Sequence, residues 1–369
     1  ANPNQHYLYQ FDWHNDASGN PVLDGVFLPY YLDAAKTMKT ANTDWFEEIS
    51  RIGMQESVDL SVSPGTEKGS SMFSLGLYDN QGIINTSRFS RLSARLNSDY
   101  KLLNDRLTVG ENLSFSYLKE TSADVLNLTL QTQPAIPVRT IDGLGWGGPV
   151  AGMNDRQNPV RLLEDNKQNH SNFFRIFGNA FVDLKIIENL NFRSSIGIDY
   201  GNYYRRNMVL SYSSGYLNNE TNKVTNFQSH TFRYTWTNTL NYNLKIGKHD
   251  MAFLLGNEMF SDSYTDFSAS VEDLEIEDPN YMYINAGTGT KGVSGGGTGY
   301  RLLSYFGKAN YDYSNKYLAS ITIRYDGSSR FGSNTQFGTF PAASLGWRLS
   351  EEDFIKDRFD FVSDLKFRV

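Results

Sequence analysis

Between Tyr317 and Phe354 the chain reads YLASITIRYDGSSRFGSNTQFGTFPAASLGWRLSEEDF. Its first part alternates apolar and polar residues, passes through a loop rich in Gly, Ser, Asn and Arg, and then resumes the alternation. In a strand, successive side chains point to opposite faces. Tyr317, Ala319, Ile321, Ile323 and Tyr325 therefore share one face, and Leu318, Ser320, Thr322 and Arg324 the other. Two environments suit such a ribbon. One is a soluble sandwich with its apolar face inward; the other is a membrane barrel with its apolar face outward.

Hydropathy does not decide between them. Mean hydropathy is -0.48 and hydrophobic residues are 39% of the 369, but a membrane barrel turns half of each strand to a polar lumen. Aromatic content is more telling: 23 Tyr, 24 Phe and 5 Trp make up 14% of the chain. Tyr and Trp suit a membrane–water interface, where one end of the ring is apolar and the other wet. A net charge of -7 argues against a nucleic-acid partner, which calls for a basic surface. The lack of Cys excludes disulfides and thiolate metal sites.

The connections favour the barrel. Strand-like runs of about ten residues, the span of a membrane strand, recur from Ser57 onward. Leu92, Ala94 and Leu96 alternate with Ser93, Arg95 and Asn97. Phe232, Tyr234 and Trp236 alternate with Arg233, Thr235 and Thr237. Short turns around 102–106, 187–189, 245–250 and 314–316 alternate strictly with long polar segments at about 119–171, 202–229, 262–299 and 326–339. Short periplasmic turns and long extracellular loops have this order, and cysteines at Ser214 and Ser294 are expected to be reachable from outside. The fold class is therefore all-β, an antiparallel transmembrane β-barrel of about twelve strands over 57–369. Residues 1–56 form an early segment in which LDAAKTMKTANTDWFEEISRIG has helical spacing, with Asp44 and Glu47 placed as a capping box. Glu111 and Asn238 conflict with the pattern, because both fall on the apolar face; a bulge beside Gly110 or a neighbouring subunit is the expected remedy.

Several linked stretches resemble the SusC-like (SusC/RagA) TonB-dependent transporters of Bacteroidetes. They are NTDWFEEISRIG, SMFSLGLYDNQGII, FSRLSARLNSDYKLLNDRLTVGENLSFSY and, most specifically, LLSYFGKANYDYSNKYLASITIRYDGSSRFGSNTQFGTFPAASLGWRLSEEDFI. The resemblance implies an outer-membrane protein with a barrel of twenty-two strands. It implies uptake of a large glycan or peptide beneath a SusD-like lipoprotein lid, driven by TonB with ExbB and ExbD. The plug and the TonB-contacting segment have no counterpart in these residues. Since an open half-barrel leaves unpaired edges in lipid, the segment is expected to belong to a longer chain or a split barrel. A SusC-like barrel serving as a structural or accessory subunit, without transport, is the alternative.

No residues read as catalytic, cofactor-binding or metal-binding, and an enzyme is not expected. His6, His14, His170, His230 and His249 are scattered. GTGTKGVSGGGTG (287–299) lacks the Gly-Lys-Ser/Thr of a phosphate loop and reads as a flexible external loop. SVEDLEIEDPNY (270–281) is acidic but lacks EF-hand spacing. Trp146, on the glycine-rich DGLGWGGP, is a candidate for stacking on substrate with Tyr203, Tyr204, Tyr212 and Tyr216. Asp326, Gly327, Ser328, Ser329, Arg330, Phe331, Gly332, Phe340 and Pro341 carry the resemblance and read as structural. Asp326 to Ser329 would turn the chain at the external rim, with Gly327 at positive φ. Phe331, Phe337 and Phe340 would anchor at headgroup level, and Pro341 would open a strand.

Overall fold

A computed structural model describes residues 9–359 and 361–369, so His6 lies outside the described residues. Its centre is a thirteen-stranded antiparallel sheet, in which the two-residue strand Gly65–Thr66 lies off the main path. The other strands are β1 (Met54–Val62), β2 (Gly69–Gln81), β3 (Arg88–Leu102), β4 (Leu107–Thr121), β5 (His170–Ile187), β6 (Leu190–Val209), β7 (Lys223–Ile246), β8 (His249–Glu272), β9 (Lys291–Tyr313), β10 (Tyr317–Ser328), β11 (Phe337–Arg348) and β12 (Lys366–Arg368). Each pairs with its neighbours in chain order, as in an up-and-down barrel wall. No helix among the described residues is long and apolar enough to cross a membrane. Crossing falls to the strands.

The short turns lie where the sequence places them. Leu103, Asn104 and Asp105 close β3–β4 at positive φ, Gly247 closes β7–β8, and Ser314 and Asn315 close β9–β10. The registers carry one alternating set unbroken across the wall. Leu96 pairs with Leu113, Ile196 with Ala180 and Trp236, Leu255 with Leu240 and Gly307, and Ile321 with Ala309 and Ala343. This face is apolar and exposed, as a lipid-facing surface is. At the turn end it carries a row of rings, His249, Tyr313, Tyr317 and Trp347, at centroid spacings of 4.9, 6.3 and 6.5 Å. That is the aromatic girdle of a membrane boundary.

The other end departs from the expectation. The segments 202–229 and 262–299 are largely strand: β6 and β8 run on to Val209 and Glu272, and β7 and β9 begin at Lys223 and Lys291. The glycine-rich 291–299, expected to be a flexible loop, is ordered because β8 offers it a partner at every residue. Strict alternation of connections also fails, since the six-residue 82–87 lies at the loop end. The expected helix shrinks to α1 (Trp45–Ile49), capped by Asp44, whose carboxylate accepts from the Phe46 and Glu47 N–H groups. Upstream, the Leu32 N–H donates to the Met38 carbonyl across a loop, and the Ala41 and Thr43 N–H groups donate to the Ala135 and Pro134 carbonyls, so non-helical partners replace helical ones.

Neither polar intruder is rescued by a bulge. The register runs straight through Gly110 and Glu111, and the Ser98 hydroxyl donates to the outward Glu111 carboxylate. Asn238 stands opposite Asn257 and Ser194, a polar patch on the outer face.

Candidate functional site

The opposite face of the wall is polar and paired. Arg175 donates to both oxygens of Asp199 at 2.8 and 3.0 Å. Arg233 bonds Asp262 and reaches Asp199 at 3.7 Å. Arg193 meets Asp183 at 3.4 Å. A hollow of 630 Å³ opens on this face, lined among others by Arg95, Asn112, Asn179, Asp199, Arg233 and Phe260. The concave side is therefore the ion-paired one, and it forms the inner wall of a lumen.

Above the wall, the loop between β4 and β5 folds with the N-terminal segment into a crown. It contains α2 (Leu126–Gln131) and α3 (Pro159–Asn166). Ile49, Ile84, Val125 and Leu163 form one buried cluster; Met208, Val224, Val271, Leu274 and Met282 form another beneath the β8–β9 loop. Three asparagines fasten it. Asn158 caps α3 through the Val160 and Arg161 N–H groups and donates to the Val138 and Gly147 carbonyls, both at 2.9 Å. Asn169 exchanges two hydrogen bonds with the Met208 backbone, and Asn222 two with Leu274. Each side-chain amide pairs with backbone as another peptide group would. Sequence reasoning passed over all three, although Asn158-Pro159 is a helix-start signal.

The crown holds a cavity of 660 Å³ lined by Tyr31, Asp33, Thr140, Trp146, Ser213 and Tyr216 among others. Trp146 is half-buried there, with the Arg139 guanidinium 3.2 Å from its ring centroid. Gly147 and Gly148 are needed for close approach: a Cβ would sit 1.7 Å from the Pro137 oxygen or 2.1 Å from that of Ser214. Burial pushes the Asp33 carboxyl up, but hydrogen bonds from the Met38 and Thr37 N–H groups and the Thr37 hydroxyl outweigh it and hold the pKa below the ordinary range. The cavity thus combines three aromatic rings, hydroxyls and an ionised carboxylate. In α3, Arg161 is stacked 3.6 Å from the Tyr212 ring and bonds Asp165, whose pKa burial raises despite the arginine.

Of the candidate aromatics, only Tyr216 joins Trp146 in that cavity. Tyr203 and Tyr204 are consecutive in β6 and point to opposite faces; Tyr203 packs edge-on to Phe227 at 5.9 Å. Tyr212 is covered by Arg161. Tyr31 and Asp33 were missed, having no motif around them. Ser214 is buried and donates to the Gly147 carbonyl, so a cysteine there is shielded, whereas Ser294 is exposed. Three of the five carboxylates in the acidic 270–281 have partners within the protein: Glu272 on Lys223, Glu277 on Ser211 and Asn222, Asp278 on Asn280.

The signature run is likewise corrected. Asp326, Gly327 and Ser328 are still strand, and Gly327 is extended rather than at positive φ. A Cβ there would meet the Phe337 ring at 2.4 Å, so the glycine makes room for Phe337, which stacks on Tyr325 at 4.8 Å. Phe340 pairs with Arg324 on the inner face and is no lipid anchor; Phe331 is exposed in the loop containing Arg330 and Gly332. Pro341 lies inside β11, not at its start. The Arg348 N–H donates to the carbonyl of Lys316, just before β10, so by alternation position 341 turns its missing N–H away from β10, and no ladder bond to β10 is lost there.

An ion-paired lumen wall, a lipid-facing outer surface and a folded crown define part of an outer-membrane β-barrel. No family model matches the sequence. Among curated proteins it is 29% identical over 357 residues to the TonB-dependent receptor SusC of Bacteroides thetaiotaomicron, covering 89% of this chain and 34% of that protein. It is also 29% identical over 341 residues to the TonB-dependent receptor P39 of Formosa agariphila, covering 87% and 31%. Among solved structures it overlays that of the RagAB peptide importer in its closed-closed state, with a TM-score of 0.74 and 23% identity over 91% of this chain and 39% of that one. The resemblance to SusC-like TonB-dependent receptors holds over nearly the whole chain, which spans about a third of their length and corresponds to part of the β-barrel.

Proposed function

We propose that the chain is the lumen wall and crown of an energised outer-membrane importer for a large nutrient, glycan or peptide, and carries out no bond chemistry itself. The observation that supports this reading best is the concave Arg/Asp-paired inner face beneath a crown whose cavity gathers Tyr31, Trp146 and Tyr216. Such a mouth needs enclosure to hold a ligand tightly. A SusD-like lipoprotein lid is the proposed cover, docking on the crown. TonB with ExbB and ExbD would supply energy through a plug-bearing part of the protein outside residues 1–369.

The full-length protein, extracted in mild detergent, is expected to bring down a lipoprotein of about its own mass or larger. Deleting 140–155 is a poor probe of this, because Gly147 to Pro149 are buried and hold the crown together. Trp146→Ala and Tyr216→Ala are cleaner; they should impair uptake while the barrel still inserts. Isolation of the protein alone, together with normal uptake by both variants, would instead fit a SusC-like barrel acting as a structural or accessory subunit.

A further inference from the structure

We propose that the upper edge of β9, Lys291–Arg301, is a binding site for an extended peptide, which joins the wall as an added strand. This inference rests on the importer reading and selects peptide over glycan. β8 covers one side of β9 along its whole length, from Lys291 opposite Val271 to Tyr313 opposite His249. On the other side β10 stops at Ser328, opposite Leu302. The place beside β9 in the sheet is already taken by β10 lower down, so no further barrel strand can enter there.

The open groups can be identified. Ser329 closes the foot of the edge: its N–H donates to the Arg301 carbonyl at 2.9 Å, and its hydroxyl accepts from the Arg301 N–H at 2.8 Å. A residue's N–H and C=O point the same way in an antiparallel strand, and the direction alternates. Arg301 points to the β10 side. Lys291, Val293, Gly295, Gly297 and Gly299 therefore point their N–H and C=O groups to the same, open side. Natural edges are usually blocked by proline, a bulge or an inward charge. This one has no proline and an unbroken register, and its residues are exposed. Only another polypeptide repeats N–H and C=O groups at matching intervals; a glycan does not.

The glycines indicate what kind of polypeptide. Gly296 is extended, and a Cβ there would meet nothing closer than the Asp266 carboxylate at 3.9 Å. The chain's own packing does not require glycine at that point. Gly295 and Gly299 have a packing reason of their own, since a Cβ would lie 2.8 and 2.7 Å from the Asp266 and Asp262 carbonyl oxygens, but with glycine at 295, 296, 297 and 299 the only side chain that 295–299 sets beside an added strand is that of Thr298. A folded partner would look for large anchors. The edge offers Val293, 76% exposed, with Phe267 behind Gly295 on β8. Mixed-sequence peptide fits such a surface better than a folded protein. At the foot, Arg301 and Arg330 have no ion-pair partner among the described residues, and the Arg330 guanidinium lies 4.2 Å from the Tyr300 ring centroid. They favour a carboxylate on the peptide.

The test uses the full-length protein in detergent and a fluorescent peptide of alternating threonine and valine ending in aspartate. Val293 already has a side chain, so Val293→Pro removes an edge N–H without disturbing the bonds to β8, while Val293→Ala keeps it. Val293→Pro, or N-methylation of alternate peptide residues, should weaken binding about tenfold or more, the equivalent of one or two hydrogen bonds. Val293→Ala should bind nearly as wild type, and Arg301→Gln with Arg330→Gln should weaken binding and reduce its salt dependence. A glucan oligomer should not displace the peptide. Peptide binding untouched by Val293→Pro would overturn this inference and leave the importer reading standing. So would slow exchange of the 291, 293, 295, 297 and 299 amides, the ones that point away from β8, in the peptide-free protein, which would mean that a lid or another loop already occupies the edge. Binding of neither peptide nor glucan, with no uptake by cells, would remove both.

Discussion

The barrel wall and the crown are made by one chain, yet they dispose of apolar side chains in opposite ways. In the wall they lie outside: Leu255, Ile321, Leu345 and Val58 are all about half exposed or more, which water would penalise and lipid does not. The buried hydrophobic residues, Ile49, Ile136, Leu163, Val224, Val271 and Met282 among them, belong to the crown and the strand tops beneath it. The wall is held by ladder hydrogen bonds between neighbours in sequence. The crown is held by a core whose members come from distant segments. It behaves as a small water-soluble structure built on a membrane one.

The largest effect that would test this contrast is in the crown. Leu163→Ala should cost about 2–5 kcal/mol, the range for a buried leucine. The loss should be local: hydrogen exchange should quicken over 122–169 and 41–50 while the strands below stay protected. Loosening of the whole wall would show that the two parts fold as one unit.

In the wall, Ile321→Arg should cost about 2–4 kcal/mol in bilayer refolding, and Thr322→Arg much less because it faces the lumen. Equal costs would invert the assignment of faces. Asn158→Ala should destabilise the crown by about 1–3 kcal/mol, since it removes a helix cap and leaves the Val138 and Gly147 carbonyls without their donor.

The smallest effect is at the turn end. Glu352 accepts from Trp347, Tyr317 and Lys316 at 3.0, 2.8 and 3.0 Å, and these bonds lower its pKa from 4.5 to about 2. A carboxylate depressed in the folded state stabilises fully above its ordinary value and loses that contribution as pH falls towards the folded one. Proteolysis of 349–365 should therefore speed up between about pH 4.5 and 2 in the wild type. In Glu352→Gln it should already be faster at neutral pH and change little on acidification. The same acid response in the variant would place the titrating group elsewhere.

The period of two by itself determined the strands and which side chains share a face, because a strand allows no other geometry; the order of short and long connections, not the period, favoured the membrane barrel over a soluble sandwich. The sequence also located the short turns around 102–106, 245–250 and 314–316, within which Leu103 to Asp105, Gly247, Ser314 and Asn315 take positive φ. The knot around Glu352 brings together Lys316, Tyr317 and Trp347 of the signature run, so the motif was visible before its purpose was. Only tertiary structure decided the height of the wall. Gly295–Gly299 have weak strand propensity, and they are strand because β8 supplies a partner for each of them. Tertiary structure alone also brought Tyr31 and Asp33 to Trp146, and turned Tyr203 and Tyr204 to opposite sides of an extended β6. Local pattern specifies what a ladder does with neighbours in sequence; contacts between segments a hundred residues apart leave no periodic trace.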